Sequence, residues 1–126
     1  MYKLVVLLRK NPALSREEFI DRYENGEVQA MLAAAGKPLL YRRSYVVRPV
    51  GGHGVDAEPM TEFPFDVITE VGFPDKAASD EWFAKSNVPE VNSIADEIFA
   101  ADRFLYAFEL EEHVTSNGEP CLEERF

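Results

Sequence analysis

Cysteine is almost missing from this 126-residue chain: Cys121 stands alone. That excludes an internal disulfide and fits a reducing, cytoplasmic setting. Cys121 sits in a polar stretch far from groups that would activate a thiol, so it reads as incidental. Positive charge is also short, with 13 Lys and Arg against 23 Asp and Glu, a formal charge of −10. Such a chain is repelled by phosphate backbones and anionic lipid surfaces, which argues against nucleic acid and membrane surfaces as partners. No apolar run approaches the roughly 18 residues of a membrane-spanning helix. The opening "MYKLVVLLRKNP" lacks the small-residue cleavage site of a signal peptide and reads as a strand. There is no phosphate-cradling loop either, because "GGHG" at 51–54 has neither the spacing nor a following helix. Nucleophile elbow, paired cysteines and basic stripe are likewise missing, and no cofactor is expected.

What is present is an ordinary globular balance, 46% apolar and 29% charged, in a length that suits one domain. Residues 2–9 are apolar on both alternating sets, the mark of a strand covered on both faces. Asn11-Pro12 then makes a turn, and Ser15 with Glu18 forms a capping box for a helix from about Arg16 to Ala35, ending at Gly36. Strands are expected at 39–48, 65–73 and 103–112, with a second helical region between the last two, broken before Pro89. Val91, Ala95, Ile98 and Phe99 form its inward face, and Phe104, Tyr106 and Phe108 read most simply as core. The order βαββαβ is that of a ferredoxin-like α+β fold, a four-stranded antiparallel sheet with helices on one face. Its other face is too apolar for water, which predicts a homodimer packing sheet to sheet, a dimeric α/β barrel. Residues 1–112 make the domain, 49–64 a long loop, and 113–126 a polar tail.

One residue breaks the helical pattern. Laid out at about 100° per residue, residues 16–35 put Glu27 inside the arc that runs from Phe19 through Ala30, Tyr23 and Ala34 to Ile20 and Met31. A carboxylate there is costly unless it meets a partner or opens into a cleft. Either Asn25-Gly26 loosens the helix and Glu27 swings out to solvent, or Glu27 faces a cleft. In a cleft, desolvation would move its pKa toward the range of a general acid or base. The cleft reading is preferred, because polar residues at core positions tend to be functional. Tyr41 and Arg43 share a strand face with Tyr45, and with Tyr23 and Met31 they form the candidate substrate-binding set for a small hydrophobic molecule. If buried, Arg43 needs a partner, for which Asp66 or Glu70 on the next strand is placed, as a structural pair at the dimer interface or as part of a cleft. His53, flanked by glycines in the 49–64 loop, is either solvent-exposed or a catalytic group carried by a lid. His53, Asp56 and Glu58 in one loop, without a histidine elsewhere to join them, make no metal site.

The stretch "LVVLLRKNPALSREEFIDRYENGEV" resembles the opening of the EthD-like family of dimeric α/β-barrel proteins: an apolar strand, then L-S-x-E-x-F, an aromatic four residues on and a histidine four further. Here the aromatic is Tyr23 and the histidine position holds Glu27. The closing "IADEIFAADRFLYAFELEEH" is similar to the family's last helix, turn and strand. The resemblance implies a small cofactor-independent enzyme of lyase type (dehydratase, decarboxylase or cyclase) acting on an aromatic or polyketide-like substrate, with Glu27 and His53 as catalytic candidates. It also leaves open a cofactor-free monooxygenase on the same barrel, or a dimer that binds without turnover because the histidine is gone.

Overall fold

The apolar alternation of "YKLVVLL" builds β1 (Tyr2–Leu8), the second of the two central strands beside β3 (Val67–Phe73). Both are flanked by edge strands, β2 (Leu40–Tyr45) and β4 (Ala107–Leu110), in the order β2-β3-β1-β4. Every neighbouring pair is antiparallel. Each crossover, β1 to β2 and β3 to β4, steps over one intervening strand, and the two interleaved units make a ferredoxin-like α+β fold. This computed structural model describes residues 1–48, 64–102 and 106–115.

Local chemistry places the helices. Ser15 caps α1 (Arg16–Arg22) through the full capping box, Glu18 N to Ser15 Oγ at 3.1 Å and Ser15 N to Glu18 Oε1 at 2.9 Å. A π-helical turn (Tyr23–Glu27) follows, then α2 (Val28–Ala35), which stops where Gly36 takes a positive φ of 85°. Asp75 caps α3 (Lys76–Ser86), and Pro89 opens α4 (Pro89–Ile98). The Trp82 indole donates to the Gly36 carbonyl at 2.8 Å and so ties α3 to the end of α2.

Strand register sorts the two sheet faces. Leu4, Val6 and Leu8 lie beside Val71, Thr69 and Val67, which in turn lie beside Tyr41, Arg43 and Tyr45; this face carries the helices. Beneath them sit two apolar clusters, one around Phe19, Tyr23, Val67, Ile98 and Phe99, the other around Val71, Phe73 and Trp82. Tyr41 packs against both.

The last strand departs from expectation. Among the described residues it runs from Ala107 to Leu110, and the aromatics here are not core: Tyr106, just before it, is 36% exposed and Phe108 49%. The reason is register, since Phe108 pairs with Val5 and so lies on the helix-free face of an edge strand. Phe104 lies outside the described residues. On the same face Lys3 is buried between Glu70 at 3.1 Å and Glu112 at 2.9 Å, and Glu70 also holds Arg42 at 3.1 Å.

Candidate functional site

The site begins with the π turn. The Val28 N–H reaches back five residues to the Tyr23 carbonyl, so one extra residue is threaded into the helix. Everything after the turn is therefore rotated relative to an unbroken wheel. In place of Ala30 and Ala34, the residues that turn inward are Val28, Met31, Leu32 and Ala35. Asn25 and Gly26, poor helix formers, sit inside the turn, and the Asn25 amide bonds the Asp21 carboxylate at 2.8 Å. The helix thus loosens where expected, but the widening does not release Glu27 to solvent. Glu27 is 7% exposed and Val28 2%.

Glu27 lines a cavity of about 70 Å³ between the helices and the sheet. Its walls come from both apolar clusters, Tyr23 and Phe99 from one and Val71 and Trp82 from the other, with Tyr41 and Thr69 on the floor. The space is the seam where the two clusters fail to meet. A second, outer cavity of about 360 Å³ is lined by Ser86, Asn87, Val91, Asn92 and Ala95. Glu27, Met31 and Phe83 line both and stand between them. The outer volume lies in the range of small-molecule sites, while the inner one holds a few water-sized groups.

Two hydroxyl contacts mark the inner cavity. Tyr23 and Thr69 share a buried hydrogen bond of 2.8 Å. The Tyr41 hydroxyl donates to the Met31 sulfur at 3.5 Å, a weak acceptor. Burial, joined by the nearby negative charge of Glu27, pushes both phenols well above their ordinary value. Both stay protonated across the working range of pH, so neither serves as a base. The Glu27 carboxyl is the acidic group of the cavity among the described residues.

Arg43 is placed differently from expectation. Its guanidinium grips Glu24 of the π turn with two bonds, Nε to Oε2 at 2.8 Å and Nη2 to Oε1 at 2.9 Å, while Asp66 accepts from the Lys10 N–H and Glu70 pairs across the other face. The reason is again register: Arg43 lies beside Thr69 on the helix face, and Glu24 hangs above it. Its third donor binds the Tyr41 carbonyl at 2.9 Å, its charged centre lies 4.8 Å from the Tyr41 ring centroid, and Tyr45 also donates to Glu24. The Arg43 hydrogen bond holds the Glu24 carboxyl below its usual range. Arg43 lines neither cavity, so it braces Tyr41 from behind.

Of the residues singled out from sequence, Glu27, Tyr23, Tyr41 and Met31 come together around one cavity, and Arg43 stands behind it. His53, Asp56 and Glu58 lie outside the described residues. Sequence reasoning missed Thr69 and Glu24. Thr69 left a signal, as the one polar residue in the series Phe65, Val67, Thr69, Val71 and Phe73 on a covered strand face. Glu24 left none without knowledge of the π turn that hangs it over β2.

The family model of the EthD domain matches residues 11–99, well over half of the chain. The chain belongs to the EthD domain family. The solved structure of an ethyl tert-butyl ether D (EthD) family protein from Bacillus halodurans C-125 shares the fold, with a TM-score of 0.50 at 14% identity, over 90% of this chain and 100% of that one. No protein of curated function matches. Among the described residues, no helix of this EthD domain is long and apolar enough to cross a membrane.

Proposed function

We propose that this EthD domain is a small cofactor-independent enzyme of lyase type, acting on a hydrophobic, aromatic or polyketide-like oxygenated molecule bound between the helices and the sheet. The observation that carries this reading is Glu27, a residue 7% exposed that lines both an apolar inner cavity and a larger outer one. Glu27 is the acid and base, Tyr41 positions the ligand as a donor, Tyr23 positions it with its ring while its hydroxyl stays on Thr69, and Met31 adapts its flexible thioether to the ligand's shape. In a dehydration, the Glu27 carboxylate takes a proton from the carbon next to a carbonyl. That C–H electron pair becomes the C=C bond as the β C–O bond breaks, and the hydroxyl leaves as water with the proton Glu27 returns. In a ring closure the same carbanion attacks a second carbonyl, and Glu27 returns its proton to the new alkoxide. Tyr41 supports the negative charge that develops on the carbonyl oxygen. The working unit is a homodimer formed through the helix-free face of the sheet, where Phe108 and Leu110 are exposed.

The test is proton transfer itself. The protein is incubated in D₂O with a panel of aryl ketones and 1,3-diketones, and loss of the α-proton signal is followed by NMR. Wild type is expected to speed exchange of at least one panel member by about 10²-fold or more over buffer, a rate that Glu27→Gln returns to background. Exchange that is equally fast in Glu27→Gln removes Glu27 from the chemistry. No acceleration with any member leaves a binding protein in place of an enzyme.

A further inference from the structure

Among the described residues, three line both chambers, and they differ in what holds them. Phe83 is wedged among rings, edge-on to Trp82 at 5.1 Å and tilted against Phe73 at 6.0 Å, and Trp82 is itself tied to the Gly36 carbonyl. Glu27 is set by the π turn that carries it. Met31 is an unbranched, half-buried side chain with three rotatable bonds, so it is the part of the partition built to move. Its sulfur is also the acceptor of the Tyr41 hydroxyl, at 3.5 Å. The other phenol against that hydroxyl is Tyr23, whose own oxygen is paired with Thr69. A buried phenol donor thus rests on a weak acceptor at the boundary between two cavities.

We propose that the Met31 sulfur occupies the seat of a ligand oxygen: an uncharged carbonyl entering from the outer chamber displaces the thioether and takes the Tyr41 hydrogen bond in its place. The seat rests on the reading of this cavity as a ligand site. Two events coincide when Met31 swings aside. The partition opens, and the Tyr41 hydroxyl is released to the entering group. The exchange is favourable, because O–H···S is given up for O–H···O and the flexible thioether finds new apolar contacts. An apolar head of the same shape gains the space but leaves a buried hydroxyl without a partner, which is costly. The seat therefore selects ligands with an oxygen at the head. The inner chamber, about 70 Å³, has room for a carbonyl and a methyl group, and the ring or chain lies in the outer 360 Å³.

Acetophenone and α-methylstyrene test the seat, since they share a shape and differ in C=O against C=CH₂. Binding of each to the full-length protein at pH 7 is measured by ligand-observed NMR titration. The ratio of the two affinities is compared across variants, which cancels their different hydration. Tyr41→Phe should shift the ratio against acetophenone by about 5-fold or more. Met31→Leu, a swap that nearly conserves volume, removes the sulfur and keeps the hydroxyl, so it should shift the ratio toward acetophenone by about 3-fold. In a Tyr41→Phe background the same Met31→Leu change should leave the ratio where it is, because no hydroxyl remains to compete for. A ratio that ignores Tyr41→Phe overturns the seat, as does one that Met31→Leu leaves unchanged or moves the other way. A Met31→Leu effect that persists without the hydroxyl assigns it to packing and overturns the seat as well. The proton-transfer reading fails separately: if the ratio responds as expected while Glu27-dependent exchange is absent, the seat stands in a binding protein. If neither compound binds wild type, the cavity is no ligand site and the seat falls with it.

Discussion

At the scale of single residues, the polar groups around Glu27 divide into those that hold the fold and those left to meet a ligand. Tyr23 belongs to the first kind through its hydroxyl, which spends its bond on Thr69 in a fully buried setting. The asymmetry between losing one member and losing both follows from hydrogen-bond energetics. Tyr23→Phe leaves the Thr69 hydroxyl buried without that bond and should cost about 1–3 kcal/mol. Thr69→Val should cost a similar amount. The double variant should lose less than the sum of the two, with a coupling of about 0.5–1.5 kcal/mol in a urea-denaturation cycle. Strict additivity would mean that the two hydroxyls do not pair in solution. Tyr41 is the contrasting case, because its hydroxyl rests on a sulfur. Tyr41→Phe should therefore change the thermal midpoint little while slowing the Glu27-dependent exchange, a split that calorimetry and NMR read independently.

At the scale of elements, the π turn is the device that matters. In sequence it is visible only as Asn25-Gly26 in the middle of a helix, which is why a regular wheel finds Glu27 and Met31 on the inward side yet adds Ala30 and Ala34 to it and leaves out Val28 and Ala35. Local pattern gives the helix; the extra residue in it is settled by how both ends pack on the sheet. Deleting Gly26 removes the inserted residue and a poor helix former together. After the deletion Phe19, Tyr23, Val28, Met31 and Ala35 fall at regular i+3 and i+4 spacing, and Glu27 is turned away by about 100°. The deletion variant should keep its helical signal, with stability unchanged or raised by up to about 1 kcal/mol. It should also lose Glu27-dependent exchange. A variant that unfolds instead would show the turn to be required by the packing. The turn is braced by Glu24 against Arg43 and Tyr45, and this strut has a pH signature. A carboxyl held below its ordinary value of 4.5 contributes stability that is complete above that value and disappears as pH falls through the lowered one. Glu24→Gln should thus lower the thermal midpoint at pH 7, by an amount matching about 1–3 kcal/mol for bonds to a charged group, and the gap to wild type should close progressively below pH 4.5. A gap that stays constant down to pH 2 would assign the loss to packing.

At the scale of the whole molecule, the fold was legible in the sequence because each signal was local and mutually consistent: a capping box at Ser15, a C-terminal Gly36, Pro89 at a helix start, and period-two strands. The pairing of Arg43 was not legible, because it depends on which strand face lies under the π turn and not on which acids stand on the neighbouring strand. The aromatics of β4 were misread for a related reason. Alternation tells that Tyr106, Phe108 and Leu110 share a face, but a sheet has two, and only the register against β1 assigns them to the side away from the helices. That assignment turns a core expectation into an interface expectation. On this face Val5, Leu7 and Ile68 join Phe108 and Leu110 around the Lys3–Glu70–Arg42 ion-pair group, an apolar surface with a fixed charge pattern at its centre. A two-fold copy laid against it would bury the aromatics of both chains, and the ion pairs would set the register of the contact. Phe108→Lys places one cation per chain at that contact, which a two-fold axis doubles. Wild type at micromolar concentration should sediment as a dimer and Phe108→Lys as a monomer. Because the cavity lies on the other side of the sheet, the monomeric variant should keep its Glu27-dependent exchange. A wild type that sediments as a monomer would show that the face is not a self-interface, and a Phe108→Lys dimer would move the contact elsewhere on the molecule.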